Sequence, residues 1–263
     1  MRSDKFGDIH IPSAIGELIR DHWPKAKLHL VEFAWQWRTS PETRMPSVPF
    51  ENVVSISTWK RWSHTNVETL QQFAAESPIL QSLELHSMTK VFLPSGPRLP
   101  PIKKLSLISC DWKYSPAAVE SIWDFSHLTS LTIISDTNTN EKFFLSLPRD
   151  ALRNLKELKV TQSHNDPSDH GLTPELHHFI SNAADLTSID ITCDVKQLNI
   201  NSLMDQWTQL RVLKIHDYTG FGANAEVCPT ISIADLTKLQ ECCTKLRELS
   251  LDLDTRTCDV SPN

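Results

Sequence analysis

Histidine and aspartate crowd one stretch of this sequence. His164, His170, His177 and His178 stand there with Asp166 and Asp169. Imidazole and carboxylate are the donors of a zinc centre, which would hydrolyse a substrate by activating bound water. Zinc ligands, however, recur at set spacings, as in HxxxH on one helix face. In "ELHHF" the two histidines are adjacent, and adjacent helical residues point about 100° apart. A loop and helix edge rich in polar residues accounts for the same letters. A metal-dependent enzyme with its site at His164–His178 is therefore the third of three functional readings, and no metal or other cofactor is expected.

Other chemistry is thinner still. Cys242 and Cys243 are also neighbours, so both cannot face one ligand, and a Cys at a helix end before a strand is usually core. A catalytic thiol would need a placed His and an orienting partner. The chain holds no GxSxG, HExxH, P-loop or GxGxxG. "GFGAN" at Gly220 lacks the third glycine. Trp23, Trp123 and Trp207 each precede a short apolar segment by a few residues. They are expected to close helix against sheet. The reading that follows has no catalytic residue and no enzyme activity.

The elements that would position such groups come from a repeat. Leu, Ile or Val occupies the first, fourth and sixth positions of "LQSLEL" at Leu80, "IKKLSL" at Ile102, "LTSLTI" at Leu128, "LKELKV" at Leu155, "LTSIDI" at Leu186, "VKQLNI" at Val195, "LRVLKI" at Leu210 and "LRELSL" at Leu246. Roughly three such matches are expected by chance at this composition. Val195 follows Leu186 by nine residues, too few for a returning helix, and is read as a chance match. The remaining starts are 22, 26, 27, 31, 24 and 36 residues apart, mostly at or near the period of about 20–29 seen in leucine-rich repeats. Positions two, three and five are polar in all seven copies except at Val212. A strand buried on both faces would be apolar throughout, so these strands show one face to a core and one to water.

Helical patterns lie between them. "VETLQQFAAES" aligns Val67, Leu70, Phe73 and Ala74. "SPAAVESIWDF" offers Ser115 as N-cap and Pro116 at the first helical position. "TPELHHFISNAA" repeats the device with Thr173 and Pro174 and aligns Leu176, Phe179, Ile180 and Ala183. "SIADLTKLQECC" aligns Leu236, Leu239 and Cys243, and "NSLMDQW" is a turn or two. In the N-terminal third, "SAIGELIRDHWPKAKLHLVEF" predicts a helix (Ile15, Leu18, Ile19) feeding a strand (Leu28, Leu30), and "FENVVSIST" a further strand. "LPSGPRLPP", "SHNDPSDHG" and "YTGFGANAEVCP" are loops. About nine strands are expected. One helix–strand unit cannot bury its own apolar stripe, but stacked neighbours can. The predicted fold is α/β: a leucine-rich-repeat-like right-handed βα solenoid with irregular repeats and a parallel sheet on its concave face. It forms a single domain over 1–263, with degenerate repeats at 1–64, clearer ones at 65–254 and a tail at 255–263.

The LxxLxL copies resemble leucine-rich repeats over roughly residues 65 to 254. Endings such as "DHWPKAKLHL", "DQWTQLRVLKI" and "ECCTKLRELSL" are similar to the irregular repeats of F-box proteins, those of filamentous fungi above all. The resemblance implies the substrate-recognition part of a cullin-based, F-box-type (SCF) ubiquitin ligase. The F-box itself is not visible: "IPSAIGELI" is faintly like its "LPxE" start, but "DHWPKAKLHLVEF" turns into a strand. An adaptor contact therefore requires an F-box outside this chain, and the chain is read as a fragment, a degenerate relative or a stand-alone repeat protein. Position nine departs too. It holds Met88, Cys110, Asp136, Ser163, Asp194, Tyr218 and Asp254 instead of the usual Asn, so uneven curvature is expected.

On a stacked sheet, positions three, five and seven face the concave side. Position five reads Glu84, Ser106, Thr132, Lys159, Asp190, Lys214, Ser250; position seven reads His86, Ile108, Ile134, Thr161, Thr192, His216, Asp252; position three adds Glu157 and Val212. The expected partner-binding residues are Ile108 and Ile134 as a dry spot, with Glu157, Lys159, Asp190 and Lys214 as its polar rim. The partner is a protein. The alternative to a ligase subunit is a stand-alone interaction scaffold.

Composition sets the remaining bounds. The 263 residues carry 26 Lys and Arg against 32 Asp and Glu, a net charge of −6, which argues against nucleic acid as partner. There is no apolar run long enough for a bilayer and no secretory h-region, so no membrane partner is expected. Six cysteines without regular spacing read as free thiols, which places the chain in the cytoplasm or nucleus.

Overall fold

The computed structural model describes residues 13–33, 48–58, 67–88, 91–135, 139–148, 150–162, 174–183, 185–193, 195, 198, 200, 204, 207–217 and 233–252. In chain order the elements are α1 (Ser13–His22), β1 (Leu28–Phe33), a 3-10 turn (Phe50–Asn52), β2 (Val53–Thr58), α2 (Val67–Ala75), β3 (Ser82–His86), β4 (Lys104–Ile108), α3 (Pro116–Ile122), β5 (Ser130–Ser135), α4 (Thr139–Ser146), β6 (Glu157–Gln162), α5 (Pro174–Asn182), β7 (Ser188–Cys193), β8 (Val212–Asp217), α6 (Ile233–Cys242) and β9 (Glu248–Leu251).

All nine strands join one parallel sheet in the order β1 to β9, open at both ends. Each strand lies beside its neighbour in sequence, so the order never reverses. The register explains the repeat. Leu83, Leu105, Leu131, Leu158, Ile189, Leu213 and Leu249 are successive partners across seven strands, and Leu85, Leu107, Ile133, Val160, Ile191, Ile215 and Leu251 form a second row. A β-strand turns alternate side chains to opposite faces, and burial follows: β3 to β8 alternate half-buried or exposed residues with buried ones. The inward rows join helix residues Leu70, Phe73, Val119, Ile122, Phe143, Leu176, Ile180 and Leu239 in one hydrophobic cluster running from Leu30 to Cys243.

The same entry turn precedes six of the nine strands. The amides of Leu80, Leu128, Leu155, Leu186, Leu210 and Leu246 donate to the carbonyl three residues earlier, at 2.9–3.2 Å. The next amide then reaches the preceding coil: Lys103 to Gln81, Thr129 to Lys103, Lys156 to Thr129, Thr187 to Lys156, Arg211 to Thr187 and Arg247 to Arg211. The first position of six of the seven copies thus ends a turn, and the second begins the ladder. Past the strands, Ser87 and Ser109 adopt φ of 51° and donate to Ile108 and Ile134 carbonyls, so the ladder outlasts the strand by one residue.

Several sequence expectations are met in detail. Ser115 caps α3, its Oγ accepting from the Ala118 amide at 3.3 Å, with Pro116 at the first helical position. Val195 lies in no strand. Ile200, Met204 and Trp207 are linked by amide-to-carbonyl bonds and buried. "LPSGPRLPP" is a loop, and buried Gln71 staples it: its Nε2 donates to the carbonyls of Leu93 and Pro97, both at 3.0 Å, and its Oε1 accepts from the Leu93 amide at 2.8 Å. The amide lies so close to Gly96 that a Cβ there would meet it at 2.5 Å.

Two features differ. The sequence reading has no helix between β5 and β6, yet α4 forms there and buries Phe143 and Phe144. Its segment "TNEKFFLS" clusters its aromatics instead of spreading them along a stripe, so no helical period shows. Trp23, expected to close helix against sheet, is 55% exposed, whereas Trp123 and Trp207 are buried. The reason is position: Trp23 follows α1 at the edge coil, and β1 has a neighbour on one side only. Ile15 and Leu18 of α1 are exposed for the same reason. The Thr173 cap, the position-nine residues other than Met88 and Cys110, and the tail at 255–263 lie outside the described residues.

Candidate functional site: the open face of the sheet

The outward positions of the strands share one face. Ile108 and Ile134 are direct cross-strand partners on β4 and β5, both half-buried. Glu157 and Lys159 lie on β6, Asp190 on β7 and Lys214 on β8, with Lys159, Asp190 and Lys214 in one register row. The structure therefore gathers all six sequence-selected residues onto a single surface.

Their pairing is more particular than alternating sign. Lys159 Nζ donates to Asp190 Oδ2 at 2.7 Å. Lys214 pairs with Glu248 at 2.6 Å. The Glu248 carboxylate beside it, with Asp190 adding at longer range, raises the Lys214 pKa. Two histidines also hold carboxylates. His216 Nδ1 lies 3.0 Å from Asp252 Oδ1, while Asp252 Oδ2 accepts from the Asp217 amide at 2.7 Å. His86 Nε2 lies 2.5 Å from Glu84 Oε1, which also accepts from Ser57 Oγ at 3.2 Å. At the first edge, His29 Nδ1 meets Ser55 Oγ at 2.7 Å.

These contacts bear on catalysis. A nucleophilic serine needs a base at its hydroxyl and a third group orienting that base. At Ser57 the neighbour is the carboxylate, with the histidine beyond it, which reverses the useful order. At Ser55 the histidine is exposed, and no described carboxylate bonds its other nitrogen. Both sets cross-link strands as polar ladders do.

Two members of the surface stand apart. Lys104 on β4 and Glu157 on β6 flank Ser130 of β5 in one register row, and both are exposed. Lys104 holds the third position of its copy, as Glu157 and Val212 do in theirs, but is not among the residues selected from the sequence there. A charge count along the third position would have found it.

The groups first suspected of chemistry fall elsewhere. His164, His170, Asp166, Asp169 and Gly220 lie outside the described residues. His177 and His178 sit on α5, where Ser181 and Asn182 one turn later donate to their carbonyls at 2.8 and 2.7 Å. Among the described residues no cluster of three metal-donor side chains forms. Cys243 is buried, and burial pushes its thiol up to about 11. Cys110 is pushed to about 11 likewise, by burial, while its Sγ donates to the Leu85 carbonyl at 3.2 Å. Such thiols are poor nucleophiles. Cys110 instead ties its segment to β3 by a single weak donor.

Beneath the sheet, Phe92, Trp112, Trp123, Phe125, Phe143, Phe144 and Phe179 form a chain of ring contacts with centroids 4.7–6.1 Å apart. Trp112 Nε1 donates to Ser146 Oγ at 2.8 Å. The rings are core. A cleft of about 580 Å³ opens on the helix side between α4 and α5, lined by Phe144, Leu147, Leu152 and Phe179 among others. No described helix is long and apolar enough to cross a membrane. No family model, no curated protein and no solved structure matches this chain.

Proposed function

We propose that the chain is a leucine-rich-repeat-like, right-handed βα solenoid that binds a protein partner on the open face of its sheet and has no catalytic activity of its own. The in-register Ile108–Ile134 pair carries the reading. A cross-strand aliphatic pair on a water-facing surface gains nothing from the core. Ringed by hydroxyls and paired charges, it has the make-up of an interface centre with a polar rim. Repeat architectures present such continuous surfaces. The paired histidines and the buried thiols support a binding role over a catalytic one.

The specific role is substrate recognition within an F-box-type ubiquitin ligase, inside the cell. It rests on the likeness of "DQWTQLRVLKI" and "ECCTKLRELSL" to F-box-protein repeats. Binding of purified cullin adaptor to the full gene product, measured by calorimetry, tests that role. Saturable binding is expected. Its absence leaves an interaction scaffold outside any ligase. The recognition face has its own test, affinity capture with the wild-type chain and with Ile108→Asp/Ile134→Asp. The doubly substituted chain should keep its fold and lose the wild-type set of partners. An unchanged set would move the site off this face.

A further inference from the structure

The open face is not uniform, and its unpaired groups define what fits it. Glu84 with His86, Lys159 with Asp190, Lys214 with Glu248 and His216 with Asp252 already hold one another in pairs. Lys104 and Glu157 do not: among the described residues neither side chain makes an ion pair or a hydrogen bond. They stand on either side of Ser130, two strands apart, or about 10 Å at the usual strand spacing. The same three strands carry Ser106 and Thr132, cross-strand partners whose hydroxyls also lack a described partner. Four residues along from Lys104 and Ser130 comes the Ile108–Ile134 pair, roughly 13 Å away.

Resting on the binding-face reading, we propose that β4–β6 form the recognition subsite and that its occupant is a peptide segment of a protein partner with a fixed charge pattern. The segment places a carboxylate against Lys104 and a cation against Glu157, with an aliphatic or aromatic side chain on Ile108 and Ile134. The two charges are opposite, so they also set which way the segment lies. Lys159, Asp190 and Lys214 are then spent within the sheet and contribute shape more than charge. A partner would have to break their ion pairs to use them, whereas Lys104 and Glu157 are ready.

A random peptide library displayed on phage and panned against the full chain tests this. Enriched peptides are then titrated by fluorescence anisotropy against the wild type, Ile134→Asp and the exchange Lys104→Glu/Glu157→Lys. The expected peptides carry an acid, a base and an apolar residue. Ile134→Asp should weaken them about tenfold or more, and so should the exchange. Peptides with acid and base transposed should recover binding to the exchanged chain. Lys104 and Glu157 are exposed, so the exchange leaves the fold intact even if Ile134→Asp does not. Peptides lost on Ile134→Asp but indifferent to the exchange would overturn the charge pattern and spare the face. Peptides indifferent to both, or no enrichment at all, would overturn the proposal together with the face.

Discussion

The two faces of one sheet are composed by different rules. On the inward face the row from Leu83 to Leu213 is Leu, Leu, Leu, Leu, Ile, Leu. One residue further on, the outward row reads Glu84, Ser106, Thr132, Lys159, Asp190, Lys214. Inside, every coil meets the same dry neighbours, and one side-chain type satisfies them all. Outside, each residue answers to its own neighbours: Lys159 has Asp190, Lys214 has Glu248, and Lys104 has no described partner. Repetition therefore carries the architecture, and departure from repetition marks the proposed recognition face. The edges sharpen the point. Leu249, in the inward row on β9, is 45% exposed, while Leu131 in the middle of that row is 1% exposed. The β9 edge leaves its member of the row open, whereas Leu30, in the same row on the β1 edge, stays 8% exposed.

The sharpest way to break this comparison is to truncate the inward row. Leu131→Ala or Leu158→Ala should cost about 2–5 kcal/mol in urea unfolding, because each leaves a cavity in a filled core. Thr132→Ala, one residue away and outward, should stay within about 0.5 kcal/mol. Equal losses at both would mean that the faces are not distinct. Next in size is Gln71→Leu, which removes the buried amide that holds the Leu93 amide and two loop carbonyls; about 1–3 kcal/mol of unfolding free energy should go. The smallest effect belongs to the outward pairs. Lys159→Met should cost under about 1 kcal/mol, since Lys159 is 44% exposed, and the difference should shrink as salt is raised. A loss that salt leaves unchanged would place that pair in the core's company.

Much of the fold is legible in the letters. LxxLxL reports its own geometry: the first apolar residue ends the entry turn, and the fourth and sixth point inward. Polar letters at the second, third and fifth positions then reveal a sheet wet on one side. Helix α3 announces itself through Ser115 and Pro116. Helix α4 does not, because Phe143 and Phe144 are adjacent, and its stability comes from the aromatic chain below the sheet. Trp23 misleads because a tryptophan before a strand looks the same in every coil, while its burial depends on having neighbours on both sides. Of the candidate site, Ile108 and Ile134 are legible from register alone. The partner chosen by Lys214 is not. Asp190 and Glu248 are both carboxylates within one strand of it, and the choice is made by side-chain reach across β8 and β9.

The most direct test is a cysteine-accessibility scan along β5 in a chain whose native cysteines are replaced. Single cysteines at Ser130, Leu131, Thr132, Ile133, Ile134 and Ser135 are labelled with a thiol reagent under native conditions, with each variant's fold checked by circular dichroism. Positions 130, 132 and 134 should label at least about tenfold faster than 131, 133 and 135, since reaction follows exposure. Rates that fail to alternate, or that alternate with the opposite phase, would contradict the account.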